Sequence, residues 1–286
     1  MFPKALELHV ASYINDFVNW MLRTFSVFFD GVSSGILGIL VFVNNVLSMI
    51  PWWAYLMIVF VLAWLSTKKL STAIALGIMP IFIGMFGLWS RAIDTFSIIS
   101  TAVIISIFLG IPLGVLMSES KMAGRIIRPL LDTMQTMPSF VYLIPAVMIF
   151  SLGKVSAILA TIIYSLPPIV RLTNLGLNQV SAQIQEAAEA YGTTRWQLLK
   201  EVRLPLAVPS ILTGVNQTTM MALAMVVIAS MIGGGGLGDE VLRAINRIDV
   251  GLGFEAGISV VILAIIIDRL TQAMAKKWEP PSQVSS

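Results

Sequence analysis

The sequence predicts an all-α protein that crosses a membrane about seven times. Of its 286 residues, 57% are hydrophobic and only 12% are charged, whereas soluble domains average about 45–50% apolar and about 25% charged residues. With a mean hydropathy of +0.89, the chain has too few polar side chains to cover a globule in water. Cysteine is absent and His9 is the only histidine, which excludes thiol catalysis, Cys/His metal sites and haem ligation. The net charge of +3 is too small to indicate a nucleic-acid partner.

Residues 1–50 are predicted to form an amphipathic extracytoplasmic segment. Asp16, Arg23 and Asp30 alternate with aromatic and aliphatic side chains at roughly helical spacing, which is typical of a helix lying in the membrane interface. We expect most of this segment, from Tyr13 onward, to lie on the outer face, folded back as a hairpin. The alternative is a plain span over residues 32–49, which would move the start of the chain to the cytoplasm.

Seven later stretches are apolar and long enough, or nearly so, to cross about 30 Å of hydrocarbon, which takes about 20 residues. Two of them fall in residues 51–90 and five in residues 91–276, and a tail follows at residues 277–286. In order, the stretches cover residues 52–66, 71–89, 96–117, 126–150, 156–171, 211–232 and 256–274.

Lysine and arginine are shared unequally between the two sides of this arrangement. Twelve of the 18 fall in one set of loops and helix ends, and six fall in the other. Because cytoplasmic loops carry the excess of positive charge, we expect the richer side to be cytoplasmic. This places the N-terminus outside and the C-terminus inside. The poorer set consists of Lys4, Arg23, Arg91, Lys154, Arg243 and Arg247.

One long hydrophilic interval, residues 174–204, lies on the predicted cytoplasmic side. Alanine and glutamate are strong helix formers, so residues 182–191 are predicted to form a short helix with Gly192 as its stop. Thr193 or Thr194 then caps a second helix. Two readings fit this pattern: a solvated helical hairpin, or an element that docks on another protein.

The spacing within this interval resembles the EAA loop of ABC importer permeases. Val202 stands where that loop usually has isoleucine, and the resemblance extends over residues 94–276. It implies the five-helix type I ABC importer core, with the loop serving as the coupling helix received by a separate ATP-hydrolysing subunit. Glu186 and Arg195 would then fix the register of docking. The residues that match are Glu186, Ala187, Ala188, Gly192, Leu204 and Pro205.

The whole chain is similar to permeases of glycine betaine and proline betaine importers, through its two extra N-terminal spans and residues 138–145. The resemblance implies uptake of a compatible solute for osmoprotection across a bacterial inner membrane. It implies two copies of this chain, two copies of the ATPase subunit carrying ATP and Mg, and an extracytoplasmic solute-binding protein. No catalytic residue, metal or cofactor is expected on this chain. Choline or carnitine uptake is the close alternative, followed by an ATP-independent secondary carrier and, least favoured, a membrane-embedded enzyme.

Two further sets of residues are candidate sites. A glycine-rich run on the outer side is expected to be a flexible loop that contacts the binding protein or gates the exit of the vestibule. A polar cluster early in the sixth span is expected to line a path for a small zwitterion, with interhelical hydrogen bonding as the alternative. The two sets are Gly233, Gly234, Gly235, Gly236, Gly238 and Asp239, and Asn216, Gln217, Thr218, Thr219 and Met220.

Three local patterns bear on packing. Gly110 and Gly114 have the GxxxG spacing that lets helices approach closely, which we expect to act within the monomer. Pro138 is expected to kink its helix. Asp132 and Arg171 are expected to form a structural pair.

Overall fold

The computed structural model describes residues 10–276, and the regular structure within that range is helical, which confirms the all-α class. The predicted tail at residues 277–286 and the first nine residues, including His9, lie outside the described residues. The helices are α1 (Ala11–Thr24), α2 (Ser26–Met49), α3 (Trp52–Thr67), α4 (Leu70–Met85), α5 (Trp89–Glu119), α6 (Lys121–Thr136), α7 (Leu143–Phe150), α8 (Lys154–Asn178), α9 (Ala182–Ala190), α10 (Arg195–Gln197), α11 (Leu204–Ala229), α12 (Leu237–Arg247) and α13 (Val250–Lys276).

Among the described helices, five runs are long and apolar enough to cross a membrane: α2, α5, α8, the run Arg195–Ile232 that contains α11, and α13. Helices α3 and α4 have 16 residues each, slightly fewer than the roughly 20 that an untilted span needs. They pack on each other and on α13. The pair α6–α7 is a sixth candidate if it is one broken span.

The kink predicted at Pro138 is confirmed, and the two helices that flank it are bent by 114°. Met137, directly before the proline, has φ −72° and ψ 136°. The proline ring clashes with a helical residue before it and forces that residue into the extended region, so α6 ends there. The predicted pair of Asp132 with Arg171 is also confirmed, and it ties α6 to α8.

The N-terminal segment forms two helices that meet at Phe25, and the expected fold-back as a hairpin stays a prediction. Helix α2 continues for 24 residues without a turn. Near its start Phe29 packs on Phe150 with ring centroids 5.8 Å apart, and near its end Asn44 donates to Asp94 Oδ1 at 3.2 Å. Lys154 Nζ lies 3.8 Å from the same carboxylate oxygen. The start of α2 therefore contacts the end of α7, and its second half contacts the start of α5.

The core of the bundle lies between α5, α8 and α11. A Cβ at Gly110 would overlap Ile169, and one at Gly114 would lie 2.7 Å from the Val170 carbonyl oxygen. The GxxxG spacing therefore acts within the monomer, as predicted, by bringing α5 against α8. The largest buried apolar cluster at this contact includes Ile36, Leu40, Ile98, Ile99, Ala102, Ile158, Ala222 and Val226.

Gly114→Ala tests this packing. The added methyl group meets backbone, which cannot move aside as a side chain can, so we expect a loss of about 1–3 kcal/mol of stability from overpacking. The measurement is the thermal unfolding midpoint of the purified chain in detergent. Gly257→Ala on α13 is the matched control, because nothing lies within 4 Å of a Cβ there and alanine favours a helix. Equal midpoints for the two variants would contradict the packing account.

Candidate functional site: the coupling loop

The first half of the predicted coupling loop is the short helix α9. The Ser181 side chain accepts a hydrogen bond from the Ile184 N–H at 3.4 Å, which caps the start of the helix. At the other end Gly192 has φ +82°, and its N–H donates to the Glu189 carbonyl oxygen at 2.8 Å. The predicted helix and its glycine stop are confirmed. A positive φ strains most residues other than glycine, which explains the glycine at this turn.

The second half begins at Thr194, whose side chain accepts from the Gln197 N–H at 3.4 Å while Gln197 Oε1 accepts from the Thr194 N–H at 2.9 Å. This reciprocal pair is a capping box. The predicted second helix capped by Thr194 is confirmed, but a π-helical turn, Leu198–Arg203, joins it directly to α11. Pro205 lies in the first turn of α11, a position that suits proline. A proline ring clashes with the carbonyl four residues earlier, here that of Glu201, and the wider π turn accommodates it.

The turn between α9 and α10 presents its side chains to the surroundings. Glu186, Ala187 and Arg195 are exposed, and Ala188 is half-buried. Tyr191 is 93% exposed and Trp196 is 69% exposed. No motif in the sequence marks these two aromatic side chains. One precedes Gly192 in the sequence and the other follows it, so the turn exposes apolar surface. Exposed apolar surface of this kind marks a site of protein–protein contact.

Arg203 ties this loop to the bundle. Its guanidinium pairs with Glu119 at the end of α5, and Nη2 donates to Ser118 Oγ at 2.6 Å. Nε and Nη2 also donate to the Leu177 carbonyl oxygen of α8, at 3.4 and 3.3 Å. The sequence analysis counted Arg203 only as a positive charge. Nothing local in the sequence reveals the pair, because Glu119 lies 84 residues away.

Two of the five predicted path residues make hydrogen bonds within the bundle. Asn216 Oδ1 accepts from the Thr271 hydroxyl of α13, and the Thr219 hydroxyl donates to the Val215 carbonyl oxygen at 2.7 Å. The alternative of interhelical hydrogen bonding is therefore confirmed for Asn216. Its amide oxygen is occupied by α13 in this conformation.

The other three path residues have different surroundings. Gln217 is exposed, whereas Thr218 is buried and its hydroxyl has no hydrogen-bond partner among the described residues. Met220 packs against the largest apolar cluster. Within one chain, the five residues do not form a single polar surface, and their role as a path remains a prediction.

The glycine run between α11 and α12 is packed rather than free, so the expectation of a flexible loop is wrong. A Cβ at Gly234 would lie 2.8 Å from the Ala229 carbonyl oxygen, and one at Gly236 would overlap Thr95. The Leu237 N–H donates to Thr95 Oγ1 at 2.7 Å. These glycines are required because the chain turns tightly against α5, and a side chain would prevent that approach.

The remaining members of the run lie around this turn. Gly233 and Gly235 have φ +83° and +87°, and Gly233 is exposed. A Cβ at Gly238 would lie 2.9 Å from Ser230 Cβ, so this position is also closely packed. Asp239 is half-buried in the first turn of α12, where an acidic side chain complements the helix dipole. Contact with a binding protein remains a prediction for this run.

Glu240 is a further residue whose role has no signal in the sequence. It is only 7% exposed. Its Oε1 lies 3.0 Å from Arg91 Nε and 3.2 Å from Arg243 Nη1. This carboxylate holds α12 on the start of α5, next to the packed glycine turn.

Comparison with known proteins identifies the family. The description "Binding-protein-dependent transport system inner membrane component" matches residues 102–280, which is more than half of the chain. The chain belongs to this family. Membership confirms the predicted importer class and an inner-membrane, multi-pass protein, and it places the coupling loop within the matched range.

Two relatives match this permease over most of its length. The glycine betaine/proline betaine transport system permease protein ProW of Escherichia coli (strain K12) is 45% identical over 93% of this chain and 75% of its own. The glycine betaine/carnitine transport permease protein GbuB of Listeria monocytogenes (strain 10403S) is 42% identical over 96% of this chain and 98% of its own.

The MetNI methionine ABC transporter, solved in inward-facing conformations, shares the fold with this permease. Its matching chain has a TM-score of 0.63 at 20% identity, over 69% of the permease and 98% of that chain. At this identity the likeness concerns the fold alone, and it confirms the predicted importer-type core.

A double-mutant cycle tests the Arg203 tie. Arg203→Met and Glu119→Gln each remove the ion pair, and Arg203→Met also removes the hydrogen bonds to Ser118 and Leu177, so we expect the double variant to lose little more stability than Arg203→Met alone. The coupling energy expected for such a pair is about 0.5–3 kcal/mol. The measurement is the thermal midpoint of the four proteins in detergent. Lys200→Met, an exposed position on the same π turn, is the control, and additive losses would show that the pair contributes nothing.

Proposed function

We propose that this permease is the membrane-spanning subunit of an ATP-driven importer that takes up glycine betaine or proline betaine as a compatible solute for osmoprotection. The observation that carries this proposal is the 45% identity over 93% of the chain to a permease named for these two solutes. Carnitine is the alternative solute, because the Listeria relative is named for glycine betaine and carnitine. Choline, the other alternative from the sequence, is also retained. ATP binding and hydrolysis are assigned to a separate subunit, so the permease itself is not an enzyme.

The coupling loop is proposed to dock on that ATPase through α9 and the turn at Gly192. Its exposed residues, including Tyr191 and Trp196, supply the contact surface. Movement of the docked loop is passed to the bundle by the continuous helical run Arg195–Ile232 and by Arg203. A ligand or partner shifts an equilibrium only by its differential affinity for the two states. The loop must therefore contact the open and closed ATPase differently, since equal binding to both would move nothing.

The proposed assembly contains two copies of the permease and two ATPase subunits, because each chain offers one coupling loop to a two-site ATPase. ATP and Mg bind on the ATPase. An extracytoplasmic binding protein delivers the solute to the opposite face, where the glycine turn and Asp239 lie. The excess of Lys and Arg on that side supports a cytoplasmic location for the loop and the C-terminus. The outer location of the N-terminal segment is proposed from the same charge distribution.

Two substitutions in the loop test the proposal in proteoliposomes that hold the permease, the ATPase and the binding protein. Gly192→Pro cannot adopt φ +82° and removes the N–H that bonds to Glu189, and Glu186→Lys reverses an exposed charge. We expect each to lower ATP-driven glycine betaine uptake at least about tenfold, equivalent to about 1.4 kcal/mol, while ATP hydrolysis continues.

Gly192→Asn is the matched control, because asparagine tolerates a positive φ better than other residues with a side chain. This variant is expected to retain most of the uptake. Equal uptake by wild type, Gly192→Pro and Glu186→Lys would contradict the docking role of the loop.

A further inference from the structure

A polar pocket of about 220 Å³ lies at the end of α5 that is remote from the coupling loop. Trp89 begins this helix, whereas Glu119 at its other end pairs with Arg203. The 31 residues of α5 span roughly 45 Å at 1.5 Å per residue. The polar lining comes from α2 and α5: Asn44, Ser48, Ser90 and Asp94.

An apolar pocket of about 240 Å³ adjoins the polar one. It extends between α3, α4, α5 and α13. At the junction the Trp89 and Tyr55 rings pack edge to face, 5.5 Å apart, and the Tyr55 hydroxyl donates to the Leu47 carbonyl oxygen at 2.7 Å. These contacts fix the junction of the two pockets. Both pockets are lined by Leu47, Ile50, Trp89 and Ile93.

The chemistry of the polar pocket favours a cation that donates hydrogen bonds. Asp94 Oδ1 accepts from Asn44 Nδ2 and lies 3.8 Å from Lys154 Nζ. Within the described residues its second oxygen, Oδ2, makes no hydrogen bond, and Ser90, which also lines the pocket, is exposed. A primary ammonium supplies three N–H donors for such acceptors, whereas a quaternary ammonium supplies none.

The combined shape matches an amphipathic molecule. Each pocket alone is smaller than the about 300–1,000 Å³ typical of sites for drug-sized ligands, but the two together fall within that range. The apolar pocket lies among helices that are surrounded by acyl chains in an inner-membrane protein. The polar pocket adjoins it, and there Asp94 and Lys154, paired at 3.8 Å, present one charge of each sign, which complements the ammonium and the phosphate of a zwitterionic headgroup.

We propose that the joined pockets bind one phospholipid from the leaflet opposite the coupling loop. One acyl chain occupies the apolar pocket, and a primary-ammonium headgroup, as in phosphatidylethanolamine, pairs with Asp94. The lipid would brace α2 and the α3–α4 pair against α5 and α13. This proposal depends on the membrane location of the permease and not on the identity of its solute.

Native mass spectrometry of the full-length permease in detergent tests the site. Phosphatidylethanolamine, phosphatidylcholine and phosphatidylglycerol with identical acyl chains are titrated in turn. We expect phosphatidylethanolamine to bind about tenfold more tightly than the other two, as one charge-assisted hydrogen bond implies. Equal binding of the three lipids would overturn the proposal.

Asp94→Asn preserves the shape of the side chain and removes its charge. We expect it to lower the affinity for phosphatidylethanolamine about tenfold, whereas Asp30→Asn, an exposed position on α2, leaves it unchanged. If Asp94→Asn fails to fold, Ala92→Phe provides an independent test, because Ala92 lines the apolar pocket and the larger ring fills it. Unchanged lipid affinity in a folded Asp94→Asn or Ala92→Phe would contradict the site.

Glycine betaine is added in excess as the last arm of the same experiment. Retention of the lipid is the expected result. Displacement of the lipid by glycine betaine would instead assign the polar pocket to the solute and overturn the lipid proposal. None of these readouts requires transport, so a failure here is distinguishable from a failure of the proposed import function.

Discussion

The close approach of α5, α8 and α11 is the constraint on which the rest of the structure depends. Lipid tails are as apolar as leucine, so helices in a membrane associate through close van der Waals packing rather than through exclusion of water. Gly110 and Gly114 bring α5 against α8, and Gly176 and Gly214 bring α8 against α11, with a Cβ at Gly176 lying 2.7 Å from Ser210 Cβ. Larger side chains at these positions would separate the three helices that connect the two faces of the protein.

Both ends of this packed unit are fixed by polar contacts. At one end Arg203 joins the coupling loop to the ends of α5 and α8. At the other end Thr95 accepts the N–H of Leu237, and Glu240 holds α12 on Arg91. Because the run Arg195–Ile232 is continuous, a displacement of the loop would be carried along a single helical run from one end to the other. This continuity supports the coupling role proposed for the loop.

The sequence predicted the features that depend on local chemistry or composition. Apolar stretches located the helices, and the alanine- and glutamate-rich interval before Gly192 located the coupling helix. Contacts between distant residues have no such signal, so the Arg203–Glu119 tie and the buried Glu240 were missed. The glycine run was expected to be flexible because glycine is typical both of flexible loops and of tightly packed turns. The sequence does not distinguish these two cases, whereas the position of Thr95 against the run in the structure does.

The most direct test of the central claim is uptake of radiolabelled glycine betaine into proteoliposomes that hold the permease alone or together with its ATPase and binding protein. The account predicts uptake only in the complete system and only when ATP is present on the side of the membrane that holds the ATPase. Excess proline betaine is expected to compete with the labelled glycine betaine. Uptake by the permease alone, driven by an ion gradient, would contradict it and would show that the coupling loop is not the point at which energy enters.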